Sequence, residues 1–283
     1  MGGSQGPTGL ARRSRRLSDA ETEQRMLQAA VRMVSSAGLT VSLDHISLEE
    51  VIREAGVARS TVYRRWPHKD LFFSDLVREL ARNATPTIQA QERELIGRIV
   101  AERADWLDTP NGRQTLVAEL FRQLAAFDFL TLSDSAEWRT YLALHATFVS
   151  IADDELRDQV QAALAESERD HLAAVASAWA RLTRLLGYRL RPELAVTFKD
   201  LAALLDATMR GLVMMALAVP ELGSRRTVAQ PFPAAGAADW SLPALGLASI
   251  ALGLIEIDPE VEWDADRIGR IRLALAALTE PVS

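Results

Sequence analysis

Apolar positions recur with a helical period along most of the chain. The clearest stripe, with spacings i, i+3, i+4 and i+7, falls at Leu48, Val51, Ile52 and Ala55. Such spacing places apolar side chains on one face of a helix. No alternation of apolar and polar residues that would indicate a strand is found after Pro86. The pattern therefore predicts an all-α protein.

Helix starts and stops are marked around the stripe. Ser47 and Glu50 have the spacing of a capping box, which predicts a helix start at Leu48. Gly56 predicts its end, because glycine readily adopts the left-handed conformation of a tight turn. A second helix is expected from Ala58 to Trp66, since the residue before Pro67 is disfavoured in a helix.

Two more helices are expected around this pair. Ser18 and Glu21 form another capping box and predict a first long helix that ends at Gly38. A further helix is expected to begin near Lys69 and to link this region to the rest of the chain.

The helix after Gly56 has two different faces. On a helical wheel, Val62 and Trp66 face inward, whereas Ser60 and Arg64 point the opposite way. An apolar inner face with a basic and hydroxyl-rich outer face is typical of the recognition helix of a helix-turn-helix, which enters the major groove. Arg64 is the first candidate for direct base contact, because arginine pairs well with guanine. The alternative interpretation is an exposed basic helix with a solvated face.

Residues 18–80 resemble the N-terminal domain of the TetR family of bacterial repressors. The resemblance rests on QRMLQAAVRMVSSAG in the first helix and on AGVARSTVYRRWPHKDLF. It implies that Thr61, Tyr63 and Lys69 hold the DNA backbone and that residues near the start of the recognition helix meet bases. Two features depart from the family pattern: Ala58 stands where a serine is usual, and the loop from Leu39 to Ile46 is long. The full set of candidate DNA contacts is Arg59, Ser60, Thr61, Tyr63, Arg64, Arg65, His68, Lys69, Ser47, Arg15 and Arg16.

Charge is unevenly distributed along the chain. The net charge is −6, yet residues 1–85 carry 13 Lys/Arg against 10 Asp/Glu, which leaves 19 against 28 for the remainder. This asymmetry is expected of one DNA-binding module on a solubilising body. Residues 1–17 are glycine-rich and then basic, and we expect them to be a flexible arm. The arm either reaches DNA or is a solvated tail; the sequence leaves both open.

The domain boundary is expected at Ala84-Thr85-Pro86, so that residues 18–85 form a three-helix DNA-binding domain with its linking helix. Residues 86–283 then form a larger helical ligand-binding and dimerisation domain. Residues 220–241 hold three prolines and two glycines and are predicted to be a loop. The expected body helices are 87–108, 112–130, 135–150, 155–186, 192–219, 242–256 and 260–279.

Two late segments, 195–219 and 243–256, are strongly apolar. In a TetR-like body they are expected to form a four-helix bundle between two subunits; the alternative is burial within one subunit. The N-terminus lacks an apolar run, and Asp206 and Arg210 interrupt the longer apolar segment. We therefore expect neither a signal peptide nor a membrane span, and a cytoplasmic location.

Aromatic residues concentrate between the proposed DNA-binding domain and the proposed dimer bundle. The resemblance implies that a small-molecule effector enters such a helical body, and a pocket needs apolar walls with a few polar groups. Tyr141 and His145 share one helical face and are candidates for those groups. Aromatic residues at helical spacing are more often core, which is the alternative. The candidate lining residues are Trp106, Phe121, Trp138, Tyr141, His145, Phe148 and Trp179.

Little points to catalysis. The chain has no cysteine and only four histidines, and we find no phosphate loop, nucleophile elbow or zinc-protease helix. Glu168 and His171 have the spacing of a di-iron ligand pair, but only one copy is present, so they are interpreted as an acid beside a histidine on a helix surface. We expect no metal, no cofactor and no catalytic residue. The chain is interpreted as a homodimeric, ligand-responsive repressor that binds a palindromic operator; the alternative is an all-helical enzyme or scaffold with a helix-turn-helix-like element.

Overall fold

The computed structural model describes residues 17–37, 46–82, 89–233 and 236–276. The expected basic arm with Arg15 and Arg16, the helix end at Gly38, most of the loop before Ile46 and the boundary at 84–86 lie outside these ranges. The first region contains α1 (Asp19–Ala37), α2 (Leu48–Ala55), α3 (Arg59–Arg65) and α4 (Lys69–Arg82).

The four helices bury the apolar stripes that the sequence shows. Met26, Val51, Val62, Trp66 and Phe72 are all fully buried in one cluster. Gly56 ends α2 with φ +63°, and the backbone N–H of Val57 closes the turn onto the carbonyl of Ile52 at 3.4 Å. The predicted helix-turn-helix geometry is thus present.

The two predicted capping boxes differ in outcome. The Ser18 backbone N–H donates to Glu21 at 2.7 Å and the Glu21 N–H donates to the Ser18 hydroxyl at 3.1 Å, so the first box is confirmed. Helix α2 begins at Leu48 as predicted, but the Ser47 side chain makes no capping hydrogen bond. The Ser47–Glu50 box was therefore wrong, because the spacing alone does not orient the serine side chain.

The rest of the described chain is mainly helical, which confirms the predicted all-α class. Its helices are α5 (Gln89–Glu102), α6 (Pro110–Asp134), α7 (Ala136–Val149), α8 (Asp154–Leu185), α9 (Phe198–Ala218), α10 (Glu221–Ser224), α11 (Leu242–Leu254) and α12 (Ala265–Ala276). Short 3-10 helices cover Ala104–Asp108 and Pro192–Leu194. The predicted helices at 87–108 and 192–219 are therefore each divided into a 3-10 turn and an α-helix.

Short strands correct the expectation of a strand-free body. β1 (Tyr188–Leu190) pairs antiparallel with β4 (Ile255–Ile257), and β2 (Arg226–Ala229) pairs with β3 (Ala238–Ser241). The predicted loop at 220–241 was thus wrong, since much of it is α10 and a β-hairpin. Strands of three or four residues are too short for alternation to be visible, and the long-range β1–β4 pair has no local signal.

One apolar cluster fills the body, formed by α5, α6, α9, α11 and α12 with the β1–β4 ribbon. The cluster of the first region continues into the body through Leu144 of α7 and Val160 and Leu164 of α8. Helix α4 packs on α8, and α8, with 32 residues, is about 48 Å long. The first region therefore packs near one end of α8, and α8 extends to the far side of the body.

By length and composition alone, α9 could cross a bilayer. Among the described residues it is the single helix with these properties. Asp206 and Arg210 lie near its middle and pair with α7 and α8 (below). Helix α9 also keeps Leu204, Met214 and Met215 exposed.

Candidate nucleic-acid interface

Helix α3 presents its polar side chains to solvent because its apolar side is anchored. Val62 and Trp66 are each 0% exposed, and the Trp66 indole N–H donates to the Asp75 carboxylate of α4 at 2.8 Å. Trp66 also meets Phe72 edge to face, with ring centroids 5.2 Å apart. These contacts hold α3 rigidly against α4, as a recognition helix requires.

The exposed side of α3 carries most of the predicted contacts. Arg59, Ser60, Tyr63, Arg64 and Arg65 are exposed and Thr61 is half-buried. His68 and Lys69, at the start of α4, are exposed beside them, and Ser47 is half-buried at the start of α2. The structure thus brings the described candidates onto one surface around α3, which we call the α3 surface.

The three arginines of the α3 surface are paired with carboxylates. Glu49 of α2 accepts from Arg59 and from the Tyr63 hydroxyl, the latter at 2.6 Å. Asp19, at the first turn of α1, accepts from Arg64. Breaking the Arg59–Glu49 or the Arg64–Asp19 pair costs little free energy, because exposed ion pairs contribute only about 0–1 kcal/mol. A phosphate or a guanine can therefore compete for Arg59 and Arg64.

Arg65 has a different environment. Its Nε donates to Glu23 of α1 at 2.9 Å and its Nη2 to Asp75 at 3.1 Å, while its guanidinium lies 5.1 Å from the Trp66 ring centroid. The hydrogen bond that Arg65 donates to Glu23 raises the pKa of Arg65, with a smaller opposing effect of burial. The geometry favours a role in joining α1, α3 and α4 over the DNA contact predicted from sequence.

Sequence reasoning missed the carboxylates that pair with α3. Asp19 and Glu49 lie 45 and 10 residues from their arginine partners, separations with no helical period. Only the tertiary structure places them beside α3.

The seven candidate effector residues have several different sets of neighbours, although five of them belong to or pack against the apolar cluster of the body. Phe121 and Trp179 stack with ring centroids 4.7 Å apart and line a small apolar cavity. Trp138, Tyr141 and His145 form a separate stack on α7. Phe148 packs against the cluster of the first region, and Trp106 lies beside Arg103. The sequence predicts that these residues lie in the same region, but their side chains contact different neighbours.

A polar network joins α7, α8 and α9 next to the Tyr141 stack. Arg210 donates to the Tyr141 hydroxyl at 2.8 Å, to Glu168 at 2.8 Å and to Asp206 at 2.9 Å. His171 meets Asp206 at 2.7 Å. The interpretation of Glu168 and His171 as helix-surface groups was wrong, since both belong to this half-buried network. Burial raises the pKa of the Tyr141 hydroxyl, and the charge of Arg210 opposes that rise.

Two further carboxyl groups lie close to this network. Burial raises the pKa of Asp128 on α6 well above its usual value, and the charge of Glu92 on α5 adds to the rise. Burial likewise raises the pKa of Glu92, while His171 and a hydrogen bond with Asp128 oppose it. Among the residues that the structure describes, no group of three or more histidine, aspartate or glutamate side chains could hold a metal ion.

Comparison with known proteins finds a short stretch of sequence similarity to transcriptional regulators. No protein-family model matches the chain. Uncharacterized HTH-type transcriptional regulators of Mycobacterium tuberculosis and Mycobacterium bovis are 48% identical to it over 48 residues, which is 17% of this chain. The match spans 23% of the length of each of these relatives.

A solved structure described as a candidate TetR-family transcriptional regulator from Mesorhizobium loti aligns with 91% of this chain and 98% of its own, at 18% identity. Its TM-score of 0.40 is too low for the likeness to carry an argument. The chain is thus similar over 48 residues to HTH-type transcriptional regulators. Its helices α2 and α3, joined by the turn at Gly56, have the arrangement of a helix-turn-helix.

Proposed function

We propose that this protein is a sequence-specific, DNA-binding transcriptional regulator that acts as a ligand-responsive repressor. The observation that carries the proposal is α3, whose buried Val62 and Trp66 lock its position while Ser60, Tyr63 and Arg64 remain exposed. A helix held in this way can insert into the major groove as a rigid element. The relatives that match are described as regulators, and no catalytic step is part of the proposal.

We propose that it binds DNA as a homodimer through α9 and α11. The outward face of α9 exposes Leu204, Met214 and Met215. Helix α11 packs beside α9, and its Gly246 is so close that a Cβ there would lie 3.4 Å from the Thr208 methyl group. Gly246 thus allows α11 to pack closely on α9 of the same subunit, whereas Gly253 is exposed and faces open space, where a partner helix could approach. Burial of this face between two subunits would offset its exposure in one subunit.

The proposed response to a small-molecule effector runs through the helices of the body. Helix α8 contacts α4 near one end and β1 near the other, so a shift of α8 changes the position of the α3 surface. A dimer presents two such surfaces, and a changed distance between them no longer fits two half-sites one helical turn apart, roughly 34–36 Å. By linkage, operator DNA must weaken effector binding by the same factor as the effector weakens operator binding.

The test is fluorescence anisotropy with duplex DNA from the region upstream of the gene, in a salt series. The wild-type protein should bind one segment tightly over a weaker, salt-dependent background. Arg64→Ala should lose about 1–3 kcal/mol on that segment and relax the preference at one base pair. Arg181→Ala is the matched control, because Arg181 is an exposed arginine on α8 that bonds to Ser177.

Equal binding of all sequences by the wild-type protein would contradict the proposed specificity. Uniform weakening of all DNA by Arg64→Ala would assign Arg64 to the phosphate backbone instead of a base.

A further inference from the structure

Arg113 is a buried cation that forms no ion pair with any residue in the described part of the chain. It lies in the first turns of α6 and is 4% exposed, and its Nε and Nη1 have no hydrogen-bond partner. Its guanidinium carbon lies 4.0 Å from the Trp263 ring centroid and 5.7 Å from that of Tyr188. The backbone of Gly187 closes a third side, since a Cβ there would lie 2.7 Å from Nη1.

Such a group is costly unless something compensates its charge. Arginine stays protonated in proteins, and an unpaired buried charge strongly destabilises a protein. Contact with aromatic faces stabilises the cation in part and does not satisfy its N–H donors. Burial lowers the pKa of Arg113, with the Tyr188 side chain opposing the change and Arg267 adding to it. The arrangement lacks an acceptor with negative charge.

Further unused donors surround the same place. The Tyr188 side chain is 5% exposed and its hydroxyl has no partner. Burial raises the pKa of Tyr188 to about 12, against the effect of Arg113, so the hydroxyl is protonated and can donate. Arg267 of α12 lies 5.6 Å from the Trp263 ring and also has an unpartnered Nε.

An apolar cavity adjoins Tyr188, one of these donors. Its volume is about 20 Å³, and it shares Tyr188 with the Arg113 surroundings. Val117, one helical turn after Arg113, also lines it, and the stacked Phe121 and Trp179 form one wall. A space of this size holds about one water molecule, so a larger group must displace the ring pair to enter. Hydrogen-bond donors and a cation on one side, with apolar walls on the other, suit a ligand that has one anionic end and one apolar end.

We propose that Arg113, Tyr188 and the adjoining cavity form a binding site for a monocarboxylate with an apolar tail. The carboxylate accepts hydrogen bonds from the Arg113 guanidinium and the Tyr188 hydroxyl, a charge-assisted arrangement that is stronger than one between neutral groups. The tail occupies the space between α6 and α8. The proposal rests on the ligand response proposed above and names the chemical class of its effector.

The coupling to DNA has a direct structural route. Trp179 and Thr183, which line the cavity, are on the C-terminal part of α8, and α4 packs against this same helix. A tail that separates Phe121 from Trp179 therefore displaces the helix that supports the DNA-binding region.

The test measures binding by calorimetry and thermal unfolding with the full-length protein and without DNA. The probes are sodium n-alkanoates from acetate to octanoate. Octanoate should bind and raise the melting temperature, with affinity increasing along the series as more apolar surface is buried. Octylamine and octanol, which have the same tail without the negative charge, should bind at least roughly tenfold more weakly. Absence of octanoate binding, or equal binding of octylamine, would overturn the proposal.

Arg113→Met separates a ligand site from a structural role. Methionine has a similar length and no charge, so the unliganded variant should be at least as stable as the wild type. Its affinity for octanoate should fall by at least about tenfold. Tyr188→Phe should weaken octanoate several-fold and is a second variant that keeps the fold. Arg103→Met is the control, because Arg103 also lies against a tryptophan, Trp106, but pairs with Glu119 at 3.2 Å.

The ligand-binding experiments test the proposed site separately from the proposed DNA binding. Wild-type affinity for octanoate in Arg113→Met would overturn the site, as would inorganic phosphate binding as tightly as octanoate. Operator binding is measured separately in the absence of any carboxylate. Loss of the ligand site then leaves DNA binding intact, and failure of DNA binding leaves the octanoate result unchanged.

Discussion

At the scale of single residues, the arginines of the α3 surface are already paired with carboxylates. Glu49 accepts from Arg59 and Tyr63 at the same time, and Asp19 holds Arg64. DNA must take these donors from their partners. These carboxylates would therefore lower the affinity for DNA, although neither would contact a base.

Glu49→Gln should strengthen DNA binding by up to roughly fivefold at low salt, since an exposed ion pair of about 0–1 kcal/mol no longer competes and one negative charge is removed from the surface. Fluorescence anisotropy with operator and unrelated duplexes measures the change. Glu50→Gln is the matched control, because Glu50 pairs with Arg53 outside the α3 surface, at 3.8 Å. Weaker binding by Glu49→Gln would mean that Glu49 positions Arg59 and Tyr63 for DNA.

At the scale of helices, the packing of α5 against α6 brings two carboxyl groups together. Glu92 and Asp128 both have a raised pKa because burial disfavours their charged forms. His171, Asp206 and Arg93 are the charged or titratable groups that act on them. The folded protein therefore holds protons at this helix pair that the unfolded chain releases.

This raised pKa makes stability fall as pH rises. Below the ordinary carboxyl range, near pH 4, both states are protonated; above it the unfolded chain ionises first, so the free energy of unfolding decreases until the folded pKa is passed. Each retained proton contributes a slope of at most about 1.4 kcal/mol per pH unit. Asp128→Asn should flatten this slope in urea unfolding measured at several pH values.

Asp134→Asn is the control for the helix pair, since Asp134 is an exposed carboxylate at the end of the same helix α6. An unchanged slope in Asp128→Asn would show that this carboxyl does not retain a proton on folding.

At the scale of the whole molecule, the proposed α9–α11 interface is an apolar surface. Asp206 and Arg210 are engaged by α7 and α8, whereas Leu204, Met214 and Met215 are exposed and could meet a second copy. Two recognition helices held at a fixed distance bind a palindrome far better than one, because the second contact becomes intramolecular.

Met215→Asp should weaken self-association by roughly a hundredfold or more, about 3 kcal/mol, because it would bury an unpaired charge between subunits. Sedimentation equilibrium measures the effect, and operator affinity should fall with it. Val149→Asp is the control: Val149 is 81% exposed at the end of α7, and its replacement should leave the dimer intact. A dimer of unchanged affinity in Met215→Asp would place the interface elsewhere.

The sequence by itself determined the local parts of this protein. Gly56, Pro67 and the stripe from Leu48 to Ala55 specify α2, the turn and α3, because propensity and helical period act over a few residues. The same period identified which side of α3 is buried. The type of DNA-binding element and the helical class of the body followed from these short-range rules.

Only the tertiary structure decided which distant residues meet. The β1–β4 ribbon joins residues 67 positions apart at Arg189 and Glu256, and the seven candidate effector residues separate into different environments. Neither the pairing of Glu49 with α3 nor the isolation of Arg113 leaves a periodic signal in the sequence. Long-range contacts depend on how whole helices pack, and an arginine near a helix start looks the same in sequence whether it is solvated or buried against Trp263.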